Sequence, residues 1–461
     1  MTALRFLTTL HLPDSFRGAA LLLLLPLGLL AQSGDYEFYD NTYVENIKTV
    51  RLHVAGFPHS YPIIELNGGA RLRLSFDDLS TDLRRYSYSF VHCNRDWTPS
   101  NLGAMEYNSG YSNDYIEDYD FSLRTLMPYT HYDLTFPNRN MRLEKSGNYL
   151  LVVYDTQDDN RVVITRRFMV TENLVGVNAQ VTRPTVVDKI QTHQEVRMQV
   201  NTKQLQPRSP LQELSATVLQ NGRWDNAVVN VPPNLLGREG VQFNYQDRII
   251  FRGGNEFRNL DIRSVQAPRT EVSSITNEGN FYAMVLAPEM SRANTVYLQY
   301  FDLNGDFINF RSDRPVVNIA DEFLQENYER FGLDFTGEYV ELTFIFKTRD
   351  GLPLDRDLYL FGAFSEWQLK YDYRMVWNAS VNAYVGRVLV KQGFYNYYVV
   401  TDTAKEAPRG VAGRPADRAG YSETEDSFDV TENDYIGLIY YRPLGGRYDQ
   451  LVGTSTVNSN Q

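Results

Sequence analysis

Apolar and polar residues alternate with a period of two along most of the chain, and long stretches with a helical period are scarce. "RLRLSF" (Arg71 to Phe76), "YSYSFVH" (Tyr86 to His92), "YLLVVYD" (Tyr149 to Asp155) and "RVVITRRFMV" (Arg161 to Val170) read as β-strands. "ATVLQNGRWDNAVV" sets Asn221-Gly222 between two strand-like runs, and "VYLQYFDLNGDFINF" does the same with Asn304-Gly305. Asn-Gly suits the positive φ angles of a type I′ turn, so both read as hairpins. The pattern predicts an all-β chain of tandem antiparallel, immunoglobulin-like β-sandwich domains.

Breaks in the pattern divide the chain. A first sandwich is expected over residues 33–172, a second over 173–320, and a third over 321–445. The third resembles a glycogen-binding-module or early-set fold. Residues 446–461, ending "GTSTVNSNQ", read as a polar C-terminal tail. "TDTAKEAPRGVAGRPADRAGYSETEDS" (Thr401 to Ser427) is rich in Gly, Ala, Pro and charge, the composition of a long mobile loop. Segments of this length can each bury a core. The chain carries 32 Tyr and 25 Phe, which supply large side chains for it, while a single cysteine excludes an internal disulfide.

The N-terminus departs from the strand pattern. Arg5 and Arg17 precede an apolar run from Ala19 to Ala31. As a helix it reaches about 20 Å, short of a bilayer core of about 30 Å. Pro26 and Gly28 weaken it further, so a cleavable signal peptide over 1–31 is expected, cut before Gln32. No cysteine follows the run to take a lipid anchor, and no later run is long enough to cross a membrane as a helix. The net charge of -12 argues against nucleic acid as a partner.

Candidate chemistry is sparse. His92 lies beside Cys93, but neighbours on a strand point to opposite faces, so the pair reads as structural and not as base and nucleophile. His53 and His59 flank a Gly-Phe-Pro bend without completing a metal set. Asp114, Glu117, Asp118 and Asp120 match no calcium-loop spacing, and in "DLNGD" Phe307 takes the position a calcium loop reserves for glycine. No nucleophile elbow, phosphate loop, dinucleotide fingerprint or zinc-protease helix is present in the sequence. The sequence therefore nominates no catalytic residue, no metal ligand set and no cofactor site, and the expectation is that the protein is not an enzyme.

One binding feature stands in the third block, which resembles glycan-binding sandwich modules through Gly362, Trp367, Met375 and the run Gly393 to Tyr398. Exposed, Trp367 and Trp377 would stack on a sugar ring; packed, they would cover the sandwich edge.

A second resemblance spans nearly the whole chain after the N-terminal run. "YSYSFVHCNRDWTPSNLGAMEY", "DYDFSLRTLMPYTHYDLTFPN", "SGNYLLVVY" and the end "TENDYIGLIYYRPLGGRYDQLVGTSTVNS" resemble the plug proteins of the type IX secretion system of Bacteroidota. The resemblance implies a periplasmic, non-enzymatic protein, peripherally associated with the outer membrane. Its partner would be the outer-membrane translocon barrel, whose periplasmic opening it seals while no substrate is present. Asp96, Trp97 and Pro99 lie in a loop typical of the family and are expected at or near that interface, because Trp and Tyr often dominate interface energy; the competing reading is a turn that stabilises the first domain. The alternative function is a periplasmic or surface glycan-binding protein built on Trp367 and Trp377.

Overall fold

The strand Tyr86–Cys93 shows how alternation becomes architecture. Tyr86, Tyr88 and Phe90 enter one apolar core, while Val91 and Cys93 enter another on the opposite face. The computed structural model describes residues 36–80, 82–309, 311–312, 334–403 and 419–460, so the expected signal peptide lies outside the described residues. Within them the protein is all-β, with several antiparallel sheets, two α-helices of four residues each and a few single-turn 3-10 helices.

In the first sandwich, Tyr86–Cys93 pairs with Gly147–Asp155, which pairs with Arg161–Thr171. Facing them is a sheet of Ile47–Val54, Leu72–Asp78, Thr130–Phe136 and Asp118–Phe121. The inward residues of both sheets share one core. Phe76 stacks on Tyr132 at 5.1 Å, and Tyr86 meets the two rings edge-on at 5.2 and 4.9 Å. Each such buried ring contributes roughly 1.5–3 kcal/mol by leaving water.

The second sandwich sets Gly176–Thr182, His193–Asn201 and Gly240–Phe243 against Leu214–Gln220, Val228–Val231, Asp434–Tyr441 and Gln450–Asn458. The expected tail is therefore not free over Gln450–Asn458: Leu451 and Val452 are fully buried within this nine-residue strand. That strand ends its sheet; Leu451 O and Val452 O accept from the Glu172 and Val175 N–H groups at 3.0 and 3.1 Å, and polar residues are favoured along the rest of the edge.

The third sandwich draws Arg258–Asp261, Val272–Asn277 and Tyr282–Leu286 from the segment assigned to the second. They join Tyr339–Lys347, Leu358–Phe361, Arg374–Asn378, Ala383–Lys391 and Phe394–Asp402. Strand pairing thus crosses the expected boundaries at 320 and 445. Alternation identifies a strand, whereas its neighbour is chosen by which apolar face completes a core. Leu260, Met284 and Leu286 complete the third core, and Tyr435, Ile439 and Val452 complete the second.

Pairing is not purely antiparallel: Ile63–Glu65 runs parallel to Met169–Thr171, and Tyr282–Leu286 runs parallel to Tyr339–Lys347. Both pairs are separated by enough chain for the crossover that parallel strands require. Asn221-Gly222 and Asn304-Gly305 do form positive-φ turns, at 53° and 68°, and 53° and 84°. The first lies between strands that pair, although their connection runs over residues 221–227. The second is not a hairpin, because Phe307–Ile308 pairs with Phe394–Asp402 and Phe307 stacks on Tyr395 at 5.3 Å. Of the expected mobile loop, residues 404–418 lie outside the described residues. The rest is packed: Glu425 is fully buried and accepts from Arg258 Nε at 2.8 Å and Arg292 Nε at 2.7 Å.

Candidate partner interface

The loop from Asn94 to Pro99 is a tight turn built by its own polar groups. The Asn94 N–H donates to Thr98 O at 2.8 Å, and Asp96 Oδ1 accepts from Thr98 N and Oγ1 at 3.1 and 2.6 Å. This forces Trp97 to a φ of 66° and turns its ring inward. Trp97 is 2% exposed, meets Trp224 edge to face at 4.9 Å, and lies under the Arg167 guanidinium at 4.3 Å. Arg167 also covers Trp224 at 5.2 Å, a cation–π pairing with two rings.

The same loop grips the second sandwich. The Arg95 N–H and guanidinium donate to the two carboxylate oxygens of Asp449 at 3.0 and 2.7 Å. Arg442 spans Asp449 at 3.0 Å and Asn94 Oδ1 at 2.5 Å. Trp97 is thus a clasp between sandwiches, and its side chain is not available to anchor an external partner. Asp96 and Pro99 are exposed beside it. Sequence reasoning missed Trp224, Arg167 and Asp449, because no local signal pairs residues so far apart in the chain.

Trp367 and Trp377 do not form one platform, since they belong to different apolar clusters. Trp367 has a φ of 55°, is half-buried, lies under Arg223 at 4.3 Å, and is flanked by Phe257 and Phe361 at 5.9 and 5.4 Å. A Cβ on Gly305 would stand 2.3 Å from its Cη2 atom, so only glycine lets that turn approach the indole. Trp377 is half-buried and packs edge-on against Tyr384 at 5.2 Å. The sugar-stacking role assigned to them meets rings already engaged in packing.

His92 and Cys93 point to opposite faces, as alternation requires. His92 Nε2 lies 3.0 Å from Ser146 O, and burial lowers its pKa to about 4. Cys93 is fully buried, and burial pushes its thiol pKa far up. His53 is buried, with Nδ1 2.9 Å from Val54 O, while His59 reaches Asp306 at 3.1 Å. Asp114 accepts from Asn140 at 2.9 Å, and Glu117, Asp118 and Asp120 are exposed.

Two buried charge networks tie the first sandwich to the third. Asp77 accepts from Lys391 at 2.8 Å, His131 at 2.5 Å and Tyr339 at 2.6 Å. Burial alone would push the Asp77 carboxyl up, but Lys391 and His131 outweigh it and hold it below the usual range. Burial opposes charge on His131 too, yet the Asp77 charge prevails and raises it to about 9. Glu366 accepts from Arg166 at 2.5 Å and from Lys370 and Thr42. Between these contacts and the Trp97 clasp lies a cleft of about 450 Å³, lined by Arg51, His59, Trp224, Asp306 and Trp367 among others. Its polar groups are largely spent on one another, as in Arg51 Nη2 to Pro58 O at 2.7 Å. The arrangement is suited to holding three sandwiches as one body.

Residues 47–172 match the family described as "Type 9 secretion system plug protein 1st domain". The crystal structure of a hypothetical protein from Parabacteroides merdae ATCC 43184 is 30% identical, with a TM-score of 0.81, over 92% of this chain and 100% of that one. Native alpha-2-macroglobulin from Escherichia coli, spanning domains NIE-MG1, aligns at 12% identity and a TM-score of 0.15, over 44% of this chain and 89% of that one; this likeness carries no argument. Among curated proteins, none matches the chain.

Proposed function

The chain belongs to the type 9 secretion system plug family, and from that premise we propose that it binds the outer-membrane translocon barrel of this system and seals the barrel's periplasmic opening when no substrate is present. The observation that carries this reading is the family match over residues 47–172. In it the protein is periplasmic, reaches that compartment through a cleavable signal peptide, and associates with the outer membrane through the translocon. No helix among the described residues is long and apolar enough to cross a membrane.

Sealing asks for bulk, rigidity and reversible contact, and needs no covalent chemistry. Three sandwiches locked by buried contacts suit the first two demands. Reversibility requires a closed state favoured by only a few kcal/mol, so that cargo or another component displaces the plug. The test is an affinity pull-down of the tagged mature protein from gently solubilised envelopes of its native host, read by mass spectrometry. A large outer-membrane barrel is expected as the main partner. Recovery of glycans or saccharide-handling proteins without a barrel would contradict the proposal.

A further inference from the structure

Two edge strands of the first sandwich follow each other in the chain, and their edges are treated differently. In Asn113–Tyr115 the Tyr115 N–H turns back onto Asp114 Oδ1 at 2.9 Å, so that edge caps itself. Asp118–Phe121 pairs with Thr130–Phe136 and ends its sheet. The Ser122 N–H donates inward to Tyr129 O at 2.8 Å, and the Leu123 N–H donates to Phe335 O at 3.0 Å. In an antiparallel ladder that phase aims the N–H and C=O groups of Tyr119 and Phe121 outward. Among the described residues, no hydrogen bond meets these outward groups.

The side chains around this edge are as open as its backbone. Tyr119 is 44% exposed and Phe121 61%; their rings meet at 5.7 Å, and that of Tyr119 also lies 5.9 Å from the core ring of Tyr132. On the alternate positions Asp118 and Asp120 are exposed, as is Glu117, and none has an ion pair among the described residues. Asp118 faces Asp133, whose charge is met by Arg73 at 2.5 Å, and Asp120 faces His131, which is committed to Asp77. The nearest exposed cation in sequence is Arg124. The edge carries no lysine, proline or bulge; it is four residues long and its two aspartates repel a like-charged strand, which leaves a basic one as the favoured neighbour.

We propose that Asp118–Phe121 is a docking edge that takes an extended basic segment of another protein as an added strand. Tyr119 and Phe121 grip the partner's apolar side chains on one face, and Asp118 and Asp120 meet its Lys or Arg side chains on the other. A second copy of this chain is a poor occupant, because it would bring the same acids into register with these. The inference goes beyond pore sealing: it names a surface and a partner chemistry, and holds whether or not that partner is the barrel.

The test uses the mature chain and a short synthetic peptide alternating lysine with valine and tyrosine. A matched peptide with glutamate in place of lysine serves as control. The lysine peptide is expected to bind saturably, weaken with salt, and protect the Tyr119 and Phe121 amides from hydrogen exchange; the glutamate peptide is expected not to bind. Tyr119→Pro removes an outward N–H without touching the inner ladder, and is expected to weaken binding about tenfold. The pair Asp118→Asn and Asp120→Asn, which leaves the backbone intact, is expected to weaken it about fivefold. Binding that neither variant changes would overturn the proposal, as would protection of both amides before any peptide is added.

Discussion

The indole of Trp97 meets that of Trp224 edge to face at 4.9 Å, and through this contact a turn of the first sandwich is seated on the second. Arg167 lies over both rings. Together with the Arg95–Asp449 pair, the Trp97–Trp224 contact holds the two sandwiches against each other.

Trp97→Ala is expected to cost about 3–5 kcal/mol, the range for deleting a buried large aromatic. Urea unfolding checks this, and a loss under about 1 kcal/mol would contradict it. A double-mutant cycle with Trp224→Ala is expected to show about 0.5–1.5 kcal/mol of coupling.

Lys391 is 1% exposed and binds Asp77, which is fully buried. Lys391→Met removes one partner of a buried pair and leaves the Asp77 charge in low dielectric. The expected cost is about 3–5 kcal/mol, measured by the same unfolding experiment. A neutral effect would show that His131 and Tyr339 suffice for Asp77.

Two buried histidines impose opposite pH limits. His92 has a folded pKa of about 4, below the unfolded value near 6.5, so its contribution is present above pH 6.5 and is lost as pH falls through 4. His131 is raised to about 9, so its contribution is complete below pH 6.5 and is lost as pH rises through 9. Stability is expected to fall at both ends, and His92→Phe is expected to flatten only the acid limb between pH 6.5 and 4. An unchanged acid limb in that variant would exclude His92 as its cause.

Cys93 is fully buried with its thiol pKa pushed up. A thiol reagent is expected to leave the native protein unlabelled and to label it on unfolding. Prompt labelling of the native protein would place Cys93 at an accessible site.

Much of the first sandwich was legible because Tyr86–Cys93 alternates and Tyr149 to Tyr154 is a continuous apolar run, with both faces of each strand committed to cores. The opposed faces of His92 and Cys93 followed from the same period. Gln450–Asn458 was hidden because an edge strand tolerates the serines, threonines and asparagines that also mark a tail. The exchange of strands between the second and third sandwiches was hidden because Arg258–Asp261 pairs with Phe394–Asp402, a partner far along the chain. Trp97 sits among Asp96, Thr98 and Pro99, residues that signal an exposed turn; its burial depends on Trp224, which nothing in the loop announces. The open edge at Tyr119 was read only as an acidic stretch, since the phase of its hydrogen bonds is invisible in composition.

Ionic current through the purified translocon barrel in a planar bilayer, before and after the mature protein is added to the periplasmic face, tests pore sealing most directly. The current is expected to fall in proportion to bound protein and to recover when the protein is removed. A current that stays unchanged while the protein is demonstrably bound would contradict pore sealing.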